Sequence, residues 1–211
     1  MPRIIIFANG NLPHHENARA LLRNDELIVA ADGGIRHVFE LGLIANILIG
    51  DLDSLPAEFD PATFDGEIVL FPKDKNETDL ELAIQHALTL NPHQVLILGA
   101  LGGRMDQTLA NITLLSHERL SAFDVRLNDG VEEIFFCRDQ AQIEGRSGDI
   151  VSLIPWGGVV TGVVTSGLRW ALKNETLYPD KTRGISNDMT GDAAVVSIKS
   201  GLLLVVHRTE H

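Results

Sequence analysis

Asp32, Asp51, Asp53, Asp79 and Asp106 lie in loops that each follow a short apolar run. Carboxylates recurring at such positions can hold a divalent cation, directly or through its waters. The runs are Leu27–Ala31, Ile47–Ile49, Glu67–Phe71 and Val95–Ala100. If they are parallel strands, the acids gather at the carboxyl edge of one sheet, where open α/β sheets bind ligands. The chemistry suited to such an edge is Mg²⁺ carrying a polyphosphate, with metal-assisted displacement at phosphorus.

The sharpest local pattern is Gly50-Asp51-Leu52-Asp53-Ser54. In an extended segment Asp51 and Asp53 point the same way, although Asp and Ser also populate plain surface turns. Asp79 falls at a helix start, where the dipole favours a carboxylate in any case; a third metal-directed role adds to that. Lys73 and Lys75 precede it as phosphate-binding or merely solvated charge. Gly102-Gly103-Arg104 joins free backbone amides to a guanidinium able to grip phosphate oxygens bidentately. Asp106 then serves as a helix cap or touches substrate or metal. Asp32-Gly33-Gly34 permits close ligand approach or simply makes a tight turn. Asn9-Gly10 repeats that ambiguity after the first run. The chain has no GxxxxGK[ST] loop, no GxGxxG and no Cys/His set with zinc-finger spacing. His14-His15 reads as a solvated helix start.

These loops need strands and helices to hold them. Arg3–Ala8 reads as a buried strand, His14–Arg23 and Ile35–Leu41 as helices, and Thr78–Leu90 as the best-defined helix. Thr78 and Glu81 have capping-box spacing, Leu80, Ile84, Ala87 and Leu88 share a face, and Asn91-Pro92 stops the run. A further helix runs from Asp106 to about Glu118. Such alternation predicts a mainly parallel, Rossmann-like α/β sheet with helices on both faces. From Phe123 onward, short β-rich runs separated by glycine turns predict an antiparallel β-sandwich. Two domains are expected, residues 1–124 and 125–211.

Seventeen Lys and Arg against twenty-nine Asp and Glu leave a formal charge of -12. That balance argues against nucleic acid and anionic membrane as partners and suits a cation or a metal-escorted anion. No apolar run approaches the ~18 residues of a membrane span. The one cysteine, Cys137, excludes an intramolecular disulfide and reads as a core residue. A cytoplasmic protein is expected.

Four ordered blocks resemble the thiamine pyrophosphokinase family, bacterial type: Ala31–Gly34, Gly50–Ser54, Asp74–Ile84 and Gly102–Ile112. A fifth, Gly167–Leu177 followed by Gly184–Asn187, lies in the β-rich half. The resemblance implies an ATP-binding catalytic domain, a β-sandwich that binds thiamine and dimerises, and a homodimer. It implies transfer of the diphosphate of ATP to the thiamine hydroxyl, yielding thiamine diphosphate and AMP. Asp51, Asp53 and Asp79 match Mg²⁺-positioning carboxylates, and Asp106 matches a site-lining one. Asn9, Asp32, Gly33, Gly34, Lys75, Thr78, Gly102, Gly103 and Arg104 match the ATP side. Trp170, tyrosine in many bacterial members, matches the residue stacking on thiamine, with Ser186 and Asn187 its polar neighbours. Asp79 and Asp106 both stand as proton acceptors. The alternative is the same transfer to another acceptor such as a hydroxymethylpterin. A dehalogenase-type phosphatase fits less well, because Leu55 stands where that family's threonine belongs.

Overall fold

The computed structural model describes residues 1–210, which divide into two compact units, Met1–Gly130 and a second beginning at Val131. The first unit runs β1 (Arg3–Phe7), α1 (His15–Ala20), β2 (Leu27–Ala31), α2 (Ile35–Glu40), β3 (Ile47–Gly50) and β4 (Glu67–Leu70). It continues with α3 (Asp79–Thr89), β5 (Gln94–Leu98), α4 (Met105–Leu115) and β6 (Asp124–Asn128). Its strands pair in the order β6-β5-β1-β2-β3-β4, all parallel. Strands β2 to β4 are added on one side of β1 and β5 and β6 on the other, so the β1 end is a switch point, the usual place for a ligand crevice.

Burial on both faces explains why these strands are continuous apolar runs rather than alternating ones. Ile5, Phe7, Ala30, Leu48 and Leu98 pack in one cluster with Ala18 of α1, Ile35 and Val38 of α2, and Leu41 just past its end. The intervening Ile4, Ile6, Val29 and Ile97 are also fully buried, and α3 packs along β1, β2 and β3. The α3 boundaries follow from its capping chemistry. Thr78 Oγ1 accepts from the Glu81 amide at 3.2 Å, and Asn91, with φ of 51°, leaves the helical conformation just past its end.

The division between units falls after Gly130 rather than at residue 124. Asp124–Asn128 pairs in parallel with β5, so this strand completes the first sheet instead of opening the sandwich. The α1 helix is also shorter than His14–Arg23, ending at Ala20.

The second unit holds β7 (Glu132–Cys137), β8 (Gln140–Glu144), β9 (Ile150–Pro155), β10 (Val160–Ser166) and β11 (Lys173–Leu177). After these come β12 (Asn187–Asp188), β13 (Ala193–Ser197) and β14 (Leu203–Arg208). Two antiparallel layers, β12-β9-β14-β7 and β11-β10-β13-β8, close on one apolar core containing Phe135, Ile143, Leu153, Val163, Val196 and Val205. Cys137 belongs to that core, and burial pushes its thiol up to about 11, leaving it protonated and inert. Among the described residues no helix is long and apolar enough to cross a membrane.

Candidate active site

The carboxyl ends of the first sheet converge on a cavity of about 580 Å³. Its walls come from Asn9-Gly10-Asn11 after β1, Asp32 after β2, Ser54 beyond β3, Thr78 and Asp79 opening α3, and Gly102-Gly103-Arg104 before α4. One oxygen each from Asp32, Asp51 and Asp79 lies within 4.8 Å of the others. Three residues distant in sequence thus form one carboxylate cluster.

Glycine chemistry permits that approach. Gly50 has φ of 149°, and a Cβ there would stand 3.0 Å from Asp32 Cβ and 3.1 Å from Asp79 Oδ1. Gly33 likewise leaves room for the Asn9 side-chain amide, which a Cβ would strike. Asp32 adopts φ of 47°, a conformation that Asp and Asn tolerate better than other side chains.

The cluster is electrostatically tense. Burial drives the Asp32 carboxyl above its ordinary value, against hydrogen bonding to Ser54 and the Gly33 amide, and the neighbouring Asp79 charge adds to the rise. Lys75 opposes the repulsion, its Nζ lying 3.0 Å from Asp51 Oδ2 and 2.9 Å from Asp79 Oδ1. Asp32 Oδ1 and Asp79 Oδ1 are nevertheless buried without hydrogen-bond partners. The contact of Lys75 with Asp79 is therefore an ion pair and not an aligned hydrogen bond. Hard oxygen donors, with Asp32 Oδ1 left without a partner, fit a small divalent cation such as Mg²⁺.

Asp32→Asn should therefore raise the melting temperature at pH 7 by ~2–4 °C, the scale of about 1 kcal/mol in a chain of this size. The sign follows from the raised folded pKa: the cost of the ionised form exists above it and vanishes below the unfolded value near ~3.9. The gain should shrink as melts are taken down to about pH 3.5. A lower melting temperature at pH 7 would refute a destabilising buried charge at Asp32.

Asp53 stays outside the cluster. Leu52 has φ of 63°, so the segment is not extended and the shared-face argument for Asp51 and Asp53 fails. The Asp53 side chain meets Lys73 at 2.5 Å and accepts from Ser54 Oγ at 3.0 Å. Asp106 does not cap α4: Arg104 occupies the cap position, with no side-chain bond to the helix, and Asp106 lies in the first turn. Arg104 is paired with Asp106, with Nε 3.1 Å from Oδ1, and that pairing holds the carboxyl below its ordinary range. Gly34 is buried beneath β1, where a Cβ would strike the Phe7 carbonyl.

Sequence reasoning passed over Asn11, Ser54, Gln107 and Asn111, all in the cavity wall. Asn111 is buried and donates from Nδ2 to the Ala100 carbonyl at 2.8 Å, tying α4 to the loop after β5. A signal existed, since Asn111 shares a helix face with the buried Leu115 four residues on.

In the second unit, Trp170 and Asn187 are joined. The Asn187 side chain accepts from the Trp170 amide at 3.0 Å and donates to its carbonyl at 2.8 Å. Asn187 is buried while Trp170 is 49% exposed, which removes Trp170 from the sandwich core. The Arg169 guanidinium lies 4.8 Å from the indole centroid, and the Ser186 amide donates to Ser152 Oγ at 3.0 Å.

A parallel sheet with a carboxylate-lined cavity at its strand ends, in a chain that also carries a β-sandwich, defines a two-unit α/β protein with the ligand crevice of an open sheet. Residues 18–127 match the family model described as thiamin pyrophosphokinase, catalytic domain, and residues 139–203 the one described as thiamin pyrophosphokinase, vitamin B1 binding domain. The chain belongs to the thiamin pyrophosphokinase family. It is 27% identical to the thiamine pyrophosphokinase of Bacillus subtilis (strain 168) over 190 residues, 87% of this chain and 88% of that one. A crystal structure of a Bacillus subtilis thiamine pyrophosphokinase superposes with a TM-score of 0.88 at 25% identity, over 99% of this chain and 100% of that one. The thiamin pyrophosphokinase of Candida albicans shares the fold at 17% identity, with a TM-score of 0.82 over 98% and 88% of the two chains.

Proposed function

We propose that this protein transfers the diphosphate of ATP to the hydroxyl of thiamine, forming thiamine diphosphate and AMP. The observation that carries the reading is that Asp32 and Asp79, in the wall of a cavity of about 580 Å³, converge with Asp51 within 4.8 Å. Held by these carboxylates, Mg²⁺ would neutralise charge that develops on the phosphate oxygens. Asp53 belongs to the adjoining Lys73 loop in this reading, not to the ion's inner ligands.

The chain's own groups would do the rest. Backbone amides of Gly102-Gly103 and the Arg104 guanidinium face phosphate oxygens, while Asn9, Gly33, Thr78 and Lys75 line or brace the nucleotide's side of the cavity. Gly34 acts from beneath, by letting the Asp32 turn settle on β1. Of the two proton acceptors offered by sequence, Asp106 is drawn down by Arg104, which weakens it as a base. Asp79, in the cavity wall, is the better placed. Orienting the attacking hydroxyl against the β-phosphorus supplies much of the remaining rate.

On the thiamine side, a half-exposed indole suits a planar cationic ring, and Trp170 already carries Arg169 over its face. Asn187 spends both ends of its amide on the Trp170 backbone, so it positions the indole. Ser186 is the neighbouring exposed polar residue. The enzyme works as a cytoplasmic homodimer in this reading, which light scattering of the purified protein would check.

The decisive assay supplies ATP, thiamine and Mg²⁺ and follows nucleotides by chromatography. AMP and thiamine diphosphate in equal amounts support the proposal. ADP as the nucleotide product, or faster turnover of a hydroxymethylpterin, would overturn it. Trp170→Ala should raise the KM for thiamine about tenfold, the scale of one cation–π contact, with kcat little changed. An unaltered KM would remove Trp170 from the binding surface.

A further inference from the structure

A second cluster of metal-ligand type lies outside the carboxylate site. His15 at the start of α1, and His37 and Glu40 on α2, each bring one donor atom within 4.8 Å of the other two. Glu40 Oε2 is 3.4 Å from His15 Nε2 and 3.2 Å from His37 Nδ1. Ligands of a tetrahedral zinc ion at its usual bond lengths of roughly 2.0–2.1 Å stand about 3.3 Å apart. Both separations lie within a tenth or so of that value.

The tautomer of His37 strengthens the case. Its Nε2 lies 2.8 Å from the Gly10 carbonyl oxygen, an acceptor only, so Nε2 carries the proton. In the neutral ring Nδ1 is then a bare lone pair facing a carboxylate oxygen at 3.2 Å. Two acceptors at that distance repel unless a cation lies between them. A proton shared between His37 and Glu40 would leave no role for His15, whose Nε2 approaches the same oxygen. Imidazole ligands that donate their second N–H to a backbone carbonyl are the usual outer arrangement of zinc sites. Arg36, the nearby positive group on α2, turns its Nη2 to the Asn9 and Gly10 carbonyls at 3.0 and 2.6 Å.

We propose that His15, His37 and Glu40 form a binding site for a borderline divalent ion of the Zn²⁺ class, with water completing the tetrahedron. Two imidazoles disfavour Mg²⁺ and Ca²⁺. The ion joins α1 to α2 and, through the His37–Gly10 hydrogen bond, tethers the Asn9–Asn11 loop of the cavity wall. Its role is structural and does not depend on the reaction assigned to that cavity.

Protein stripped with chelator and held in excess Mg²⁺, to occupy the aspartate cluster, is titrated with Co²⁺ and read by its visible absorption bands. One equivalent of Co²⁺ should develop bands that one equivalent of Zn²⁺ abolishes. His15→Ala and Glu40→Gln alter half-exposed side chains, so the fold should survive, as circular dichroism would verify. Each should weaken Co²⁺ binding at least tenfold, whereas His14→Ala should leave it unchanged. Absence of bands in the wild type, or a loss below tenfold in both variants, overturns the site.

Discussion

Asp79→Asn is expected to lower kcat/KM for the ATP reaction about a thousandfold, near 4 kcal/mol of transition-state stabilisation, while the melting temperature shifts by only ~2–4 °C. The expectation rests on opposed effects at one residue. Asp79 stands in the first turn of α3, where a carboxylate is favoured by about 0.3–1 kcal/mol, and it pairs with Lys75. Against this, its charge raises the neighbouring Asp32, so neutralising it relieves repulsion. The Thr78 cap is untouched by the change, so the helix start should hold. Catalysis has no such compensation, because the amide removes one charge from a three-carboxylate cluster built at the cavity wall. Steady-state kinetics beside a thermal melt tests both halves. Activity within tenfold of wild type would exclude Asp79 from the reaction, and a collapse in stability would make its role structural.

The largest loss of stability is expected in the second unit, from Asp149→Ala. Asp149 is 1% exposed and accepts from the Arg146 amide at 2.8 Å, the Glu210 amide at 3.2 Å and His207 Nε2 at 3.1 Å. Its removal strands two amides and a buried imidazole, a cost of about 3–5 kcal/mol against a total stability typically of about 5–15 kcal/mol. Burial alone would push this carboxyl up. The two amides and the His207 ring outweigh that, and the net displacement is below the ordinary value. The contribution of Asp149 is therefore complete above its unfolded pKa of about 3.9 and fades as pH falls through the folded value. Urea titrations of wild type and Asp149→Ala should differ most at neutral pH and converge below about pH 4. Equal midpoints at pH 7 would show the network to be dispensable.

The elements that sequence patterns revealed are those whose local chemistry agrees with their tertiary setting. Strands β1, β2, β3 and β5 are apolar on both faces because helices cover both, and α3 announces itself through Thr78, Glu81 and Asn91-Pro92. Strands β11 and β12 escaped notice. Lys173–Leu177 buries only its last residue fully, and Asn187–Asp188 pairs over two residues with β9, so neither presents an apolar period. The role of β6 was hidden for another reason: its pattern is that of any short strand, and only its partner assigns it to the first sheet.

Within the site, the acidic edge was readable because each acid follows a strand, but its membership was not. Asp51 and Asp53 separate because of one left-handed residue, Leu52. Asp32 joins because Gly50 lacks the atom that would keep it away. Both facts depend on backbone torsions that residue identity leaves open. His14-His15 illustrates the same limit, since solvated and ligating histidines look alike until α2 supplies His37 and Glu40.

The start of α3 carries both a fold-determining hydroxyl and a carboxylate of the cavity wall. Helix ends fray before helix centres, and this one is held by the Thr78 acceptor at 3.2 Å and the Lys75–Asp79 ion pair at 2.9 Å. If the carboxylate cluster carries the proposed reaction, activity should fall on warming before the sheet melts, because the Asp79 turn sits at a helix end.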